Sequence, residues 1–179
     1  LVNGSPHKEG CTFTALKEVE KELINSGIET EIFPIRSEWS YRIKKNNTPM
    51  AGWNKKTFLG IWSKGKAGFG NRNGDGGAVV NTEWSGEKPW LFVRKEFTID
   101  DLSKLEGASL RLNIFYDDTP IIYLNGNVIF NDDSWVDGYT AITLDTKYTE
   151  YLNDGKDDLI EIVDSSYVGP VILYEPLDL

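Results

Sequence analysis

The chain has 179 residues, enough for one well-filled core or for one domain with an appendage, and its 40% apolar and 12% aromatic content is too high for general disorder. A net charge of −9 argues against a nucleic-acid partner, whose phosphates need a basic face, and against anionic membrane surfaces. No apolar run approaches the roughly 20 residues needed to span a bilayer. Cys11 is the single cysteine, so no intramolecular disulfide can form and cysteine usage leaves the compartment open. The chain begins at Leu1 rather than Met and shows no signal-peptide pattern, which leaves room for a leader or an upstream region.

Residues 1–35 differ in kind from the rest of the chain. Leu1-Val2 reads as the end of a strand and Gly4 to Thr12 as a loop. Phe13, Leu16, Val19, Leu23 and Ile24 recur at helical spacing, with Lys17, Glu18, Lys21 and Glu22 turned away. A helix is expected over 12–26, docked through Phe13, Leu16, Val19 and Leu23, because so short a helix is marginal in water alone. Gly27 ends it, since glycine adopts the left-handed cap at little cost. Ile28, Thr30 and Ile32 then alternate with Glu29 and Glu31 as a strand. Backbone amides at a helix N-terminus, with Ser and Thr hydroxyls nearby, form a phosphate cradle. The run Gly4-Ser5-Pro6-His7-Lys8-Glu9-Gly10-Cys11-Thr12 resembles the first loop of flavodoxin-like NAD(P)H-dependent FMN reductases, of the form GSPxxxGxT. That resemblance implies FMN as cofactor, with Ser5, His7 and Thr12 as phosphate contacts, and an FMN-dependent oxidoreductase fragment as one reading of the chain. The flavin-ring loops and remaining parallel strands of that family have no counterpart downstream, and a doubly wound sheet cannot be completed by hairpins. The preferred reading is a remnant that binds no flavin, whose helix packs on the neighbouring domain, with Lys8 a solvated charge.

Residues 36–179 form a second unit. Trp39, Tyr41 and Ile43 alternate with polar neighbours as a strand, and Asn46 to Pro49 is turn chemistry. Trp53, Phe58 and Trp62 come next at irregular spacing, and GNRNGDGG at 70–77 has too many glycines for a core element. Strands resume at Val79 to Thr82 and at Trp90 to Thr98, where Leu91, Val93 and Phe97 share one face and Trp90, Phe92 and Arg94 the other. Residues 100–107 read as a turn or short helix. Leu110, Leu112, Ile114 and Tyr116 then alternate as a strand, before Asp117-Asp118-Thr119-Pro120 breaks the run. Ile121–Leu124 and Asn127–Phe130 flank Asn125-Gly126, the strongest short-range signal for a type I′ hairpin. Residues 110–130 are thus expected to be three consecutive antiparallel strands. Tyr139–Leu144, a helical turn at Thr149–Leu152, Leu159–Val163 and Val171–Tyr174 complete a pattern of about eight strands with short turns, that of a two-sheet β-sandwich.

The order of these pieces carries a second resemblance. Trp39-x-Tyr41, Trp53, Phe58, Trp62 and Gly65-x-Ala67-x-Phe69-Gly70 lead into Trp90-x-x-x-Arg94-x-x-Phe97, Tyr123-Leu124-Asn125-Gly126, Gly138-Tyr139 and Leu152-Asn153-Asp154-Gly155. The series resembles the galactose-binding-like jelly-roll modules of bacterial glycoside hydrolases, including the sugar-binding domain of family-two enzymes. It departs from them at Leu59-Gly60-Ile61-Trp62, where those modules carry Asp-Asp-x-x-Trp. The resemblance implies a mostly β, galactose-binding-like jelly-roll β-sandwich over 36–179, with 1–35 as a short helix-strand appendage. It also implies ligand contacts from loops at one end, a catalytic domain of a parent glycoside hydrolase as partner, and an extracellular or periplasmic setting.

Four Asp-Asp pairs, at 100–101, 117–118, 132–133 and 157–158, could ligate calcium or simply serve turns, and the turn reading is preferred. A glycosidase needs two carboxylates roughly 5–10 Å apart across one cleft, and the sequence alone pairs none of them. A triad would have to use His7, the one histidine, and a zinc site lacks ligands. No catalytic residue, metal ligand or cofactor is therefore assigned outside the FMN alternative. Tryptophans at 39, 53 and 62 read as core, whereas Trp84 and Trp135 sit in polar loops, either plugging the sandwich or exposed to bind. Weak carbohydrate recognition by Trp84, Arg94, Asp133, Trp135 and Tyr139 is expected, with a structural spacer that binds nothing as the alternative.

Overall fold

The alternation read in residues 90–98 sets the frame. In the computed structural model this stretch is one ten-residue strand, and every residue from Leu91 to Arg94 is buried. Successive side chains of a strand point to opposite faces. Burial of four in a row therefore requires a cover on both sides.

The structure describes residues 2–3, 11–25, 33–34, 38–44, 51–70, 79–84, 90–99, 101–105, 111–116, 119–138, 140–153, 155–164 and 172–178. In chain order the elements are β1 (Val2–Asn3), α1 (Cys11–Asn25), β2 (Phe33–Pro34), β3 (Glu38–Lys44), β4 (Ser63–Lys66), β5 (Phe69–Gly70), β6 (Thr82–Glu83) and β7 (Trp90–Ile99). They continue with β8 (Arg111–Phe115), β9 (Ile121–Leu124), β10 (Asn127–Asn131), β11 (Thr140–Thr143), β12 (Gly155–Asp164) and β13 (Ile172–Asp178). Short 3-10 helices at Leu102–Leu105 and Thr146–Tyr151 stand where the sequence pointed to helical turns.

Six strands form one antiparallel sheet in the order β4-β3-β7-β12-β9-β10, and β11-β8-β13 form a second. Trp39 of β3, Leu91, Val93 and Ile99 of β7, Ile122 and Leu124 of β9, and Ile129 of β10 pack in one cluster with Leu112 and Ile114 of β8. The chain is thus mostly β, a sandwich of two open sheets with its core between them. Each fully buried side chain of this kind stabilises it by about 1.5–3 kcal/mol.

The outer cover is residues 51–62, which lack strand and helix and turn through amide bonds from Lys55 to the Gly52 carbonyl and from Phe58 to the Lys55 carbonyl, both 2.9 Å. Trp53 lies edge-on to Phe92 at 4.8 Å and to Tyr123 at 5.4 Å, so this segment buries the outward face of β7 and β9. Gly60 is required here: a Cβ at that position would stand 2.1 Å from the Phe58 ring.

One expectation needs correction. β8 does not pair with β9 as the second of three consecutive strands. The chain leaves the smaller sheet after Phe115 and joins the larger one at Ile121, so Ile114 and Ile122 meet across the core. Alternation alone does not separate these cases, because a strand shows the same period whether its successor lies beside it or opposite. The hairpin itself is as expected. Asn125 and Gly126 have φ of 48° and 83°, and Asn125 Nδ2 donates to the Tyr151 carbonyl at 2.7 Å. A bulge between Val128 and Phe130 turns Ile129 into the core.

At the N-terminus, β1 and β2 pair in parallel, with α1 between them in sequence and lying against β1. Leu16 and Leu23 are half-buried, but Val19 is 47% exposed and does not belong to a covered stripe as expected. Gly27 and the strand expected at 28–32 lie outside the described residues.

Replacing Asn125 and Gly126 together by Val tests the turn. Left-handed backbone costs a β-branched residue about 1–2 kcal/mol, and the Asn125 hydrogen bond contributes about 1 kcal/mol more. With both residues replaced, a loss of about 3–5 kcal/mol, or a fall of roughly 6–20 °C in Tm, is expected by calorimetry. An unchanged Tm would contradict the assignment.

Candidate functional site

Between β10 and β11 the chain crosses one end of the sandwich, and Asp132 organises the crossing. Its carboxylate accepts from the Tyr116 hydroxyl, from Ser134 Oγ at 2.7 Å, and from the amides of Asp133 and Ser134 at 2.9 and 3.3 Å. Its own amide donates to the Pro120 carbonyl at 3.3 Å, and the Val136 amide donates to the Tyr116 carbonyl at 3.2 Å. Aspartate suits this position because a short carboxylate reaches the amides of the next two residues. Tyr116 is supplied by the end of β8, its ring packed edge-on against Phe130 at 6.0 Å. Burial, helped by Asp132, pushes the Tyr116 hydroxyl up to about 12, and the Tyr116 hydrogen bond, followed by that of Ser134, holds Asp132 below its ordinary value.

Between these two anchors stands Trp135. Val136 packs against the core, whereas Trp135 is 63% exposed and Asp133 and Asp137 are exposed on either side of it. A ring on a short loop held at both ends has less conformational freedom to lose than one on a loose loop.

The other residues expected at the site lie elsewhere. Trp84 is 3% exposed and packs in the core with Trp39 and Leu91, its amide bonded to the Gly70 carbonyl at 2.7 Å. Its polar neighbours in sequence gave no sign of this, because its apolar partners come from distant strands. A ring so buried offers no face to a ligand. Arg94 is also buried, on the outer side of the six-stranded sheet, where Nη2 donates to the Lys55 carbonyl at 2.9 Å and the guanidinium lies 5.3 Å from the Trp62 ring centroid. Glu161 and Ser40 hold the register positions directly across from it. Arg94 thus fastens the 51–62 cover. Asp133 and Trp135 are brought together, while Tyr139, Ser5 and His7 lie outside the described residues, as does the side chain of Thr12.

Sequence reasoning missed Tyr116 as the partner that pins the loop, since sixteen positions separate it from Asp132. The turn reading of the acidic pairs holds for Asp132 and for Asp101, which accepts from the Ser103 amide at 3.1 Å and hydroxyl at 2.6 Å. Among the described residues no group of three or more His, Cys, Asp or Glu is placed to hold a metal ion.

No family model matches the sequence, and a search of curated proteins finds no significant match. Solved structures do match. The chain is similar to the β-glucuronidase of Bifidobacterium dentium with a TM-score of 0.50 and 17% identity, over 76% of this chain and 20% of that one. The Lactobacillus rhamnosus β-glucuronidase matches with 0.50 and 15%, over 74% and 20%. That of Ruminococcus gnavus matches with 0.51 and 12%, over 73% and 20%. The likeness is one of fold. The chain spans about a fifth of the length of these proteins. The comparisons lend no support to the flavodoxin-like reading of residues 1–35.

The pin makes a pH-dependent prediction. Asp132→Ala leaves the buried Tyr116 hydroxyl without its acceptor, at a cost of about 1–3 kcal/mol. Because the folded value of Asp132 is depressed, its contribution is fully present above the ordinary carboxylate value of 3.8 and is lost as the pH falls through the lower folded value. Denaturant melts should show the full gap between wild type and variant at neutral pH and a shrinking gap in acid. A gap that grows in acid would contradict the assignment.

Proposed function

We propose that this chain is an accessory β-sandwich module of a glycoside hydrolase and that it contacts carbohydrate weakly through Trp135. The observation that carries the reading is the 63% exposure of Trp135 on a loop held by Asp132 and Val136. Left in water, that ring forgoes roughly 3–4 kcal/mol of burial, and the flat C–H face of a sugar is a surface that would recover part of it. Asp133 and Asp137 are acceptors for hydroxyls of the stacked ring. The fold shared with about a fifth of several β-glucuronidases supports a parent protein of the glycoside hydrolase kind, with a catalytic domain elsewhere in it. A fold alone does not carry a function, so the weight rests on the loop.

A second reading has one observation in its favour. Leu59 and Ile61 are 96% and 89% exposed on the outer cover, as in a module that packs against a neighbouring domain and holds no ligand.

Trp135→Ala separates the two. In the carbohydrate reading the parent chain binds neutral oligosaccharides with micromolar to millimolar affinity, about 4–8 kcal/mol, by calorimetry. The variant then loses that binding while its stability stays within about 0.5 kcal/mol of wild type, as for an ordinary surface change. No sugar bound by the parent at millimolar concentration leaves the packing reading.

A further inference from the structure

We infer that the Trp135 platform selects sugars by charge, favouring amino-bearing over neutral rings and neutral over carboxylate-bearing ones, with Asp133 and Asp137 as the discriminating residues. The inference rests on the carbohydrate reading above. Residues 131–138, NDDSWVDG, carry three carboxylates and no cation. Asp132 is committed to holding the loop, both of its oxygens accepting from Tyr116, Ser134 and backbone amides. Asp133 and Asp137 are exposed, and neither takes part in an ion pair among the described residues.

Each stands two positions from Trp135. Extended chain advances at most about 3.5 Å per residue, so both Cα atoms lie within about 7 Å of that of Trp135. A ring stacked on Trp135 therefore meets two negative charges with nothing on the loop to offset them. For a unit ligand charge about 7 Å from each carboxylate, Coulomb interaction in water, added over both, changes affinity by about five-fold at low ionic strength, and salt screens it. Stacking itself depends little on charge. The platform thus supplies affinity and the two carboxylates supply the ranking.

The test uses the full chain and β-1,4-linked tetramers of glucosamine, glucose and glucuronate, which share ring stereochemistry and differ in charge. Titrations followed by tryptophan fluorescence are run at low salt and mildly acidic pH, where the amines are protonated and the carboxylates ionised. Glucosamine should bind most tightly and glucuronate least, with steps of about five-fold or more that shrink in physiological salt. Asp133→Asn with Asp137→Asn should bring the three within about two-fold of one another while retaining the glucose tetramer. Binding of the glucuronate tetramer as tight as that of glucose, or a ranking unchanged in the double variant, overturns the charge inference and leaves the carbohydrate reading standing. No binding of any tetramer at millimolar concentration overturns both.

Discussion

The structure depends on one strand being dry on both faces. β7 pairs with β3 on one side and β12 on the other, and its residues 91–94 are buried above and below the sheet. With no water on either face, its backbone groups must be satisfied within the ladder, which ties the two neighbouring strands to it. Its inward side chains close the core against β8, and its outward ones are sealed by residues 51–62. That seal explains why a stretch without regular structure keeps a defined path. Trp53 and Phe58 fill the apolar face, Arg94 bonds a carbonyl of the segment, and Gly60 lets the Phe58 ring lie against the backbone.

A buried arginine in such a place is structural for a definite reason. Removing a charge from water is costly unless it is matched by dipoles or an opposite charge. Arg94 faces the Lys55 carbonyl and the Trp62 ring, with Glu161 across from it in register. The same residue type at a loop would be a ligand donor. Its position in the sheet, rather than its chemistry, assigns the role.

The end of the sandwich obeys the opposite logic. There a buried hydroxyl, Tyr116, needs an acceptor, and Asp132 supplies it while collecting the amides of the adjoining turn. The arrangement leaves Val136 turned inward and Trp135 outward. A tryptophan in water beside a pinned turn is what gives this end of the fold a surface with chemistry of its own. The likeness to β-glucuronidases concerns the sandwich beneath it and leaves the loop to be judged by its own residues.

Local chemistry alone determined the strands around Trp39–Ile43, Trp90–Thr98, Ile121–Leu124 and Asn127–Phe130, the two faces of β7 and the positive φ values of Asn125 and Gly126, because each arises from a period or a turn preference within a few residues. Ser63–Lys66 and Phe69–Gly70 carry no such signal, and the strand expected at Val79–Thr82 begins only at Thr82. It also marked 131–139 as a polar loop holding an aromatic ring. Only the tertiary structure decided that β8 and β9 belong to different sheets, since alternation is blind to which layer a strand joins. Likewise, Trp84 and Trp135 stand in turns of similar polarity, yet one is 3% and the other 63% exposed. Burial of a side chain depends on what distant strands bring over it, and that information is absent from its neighbours in the chain.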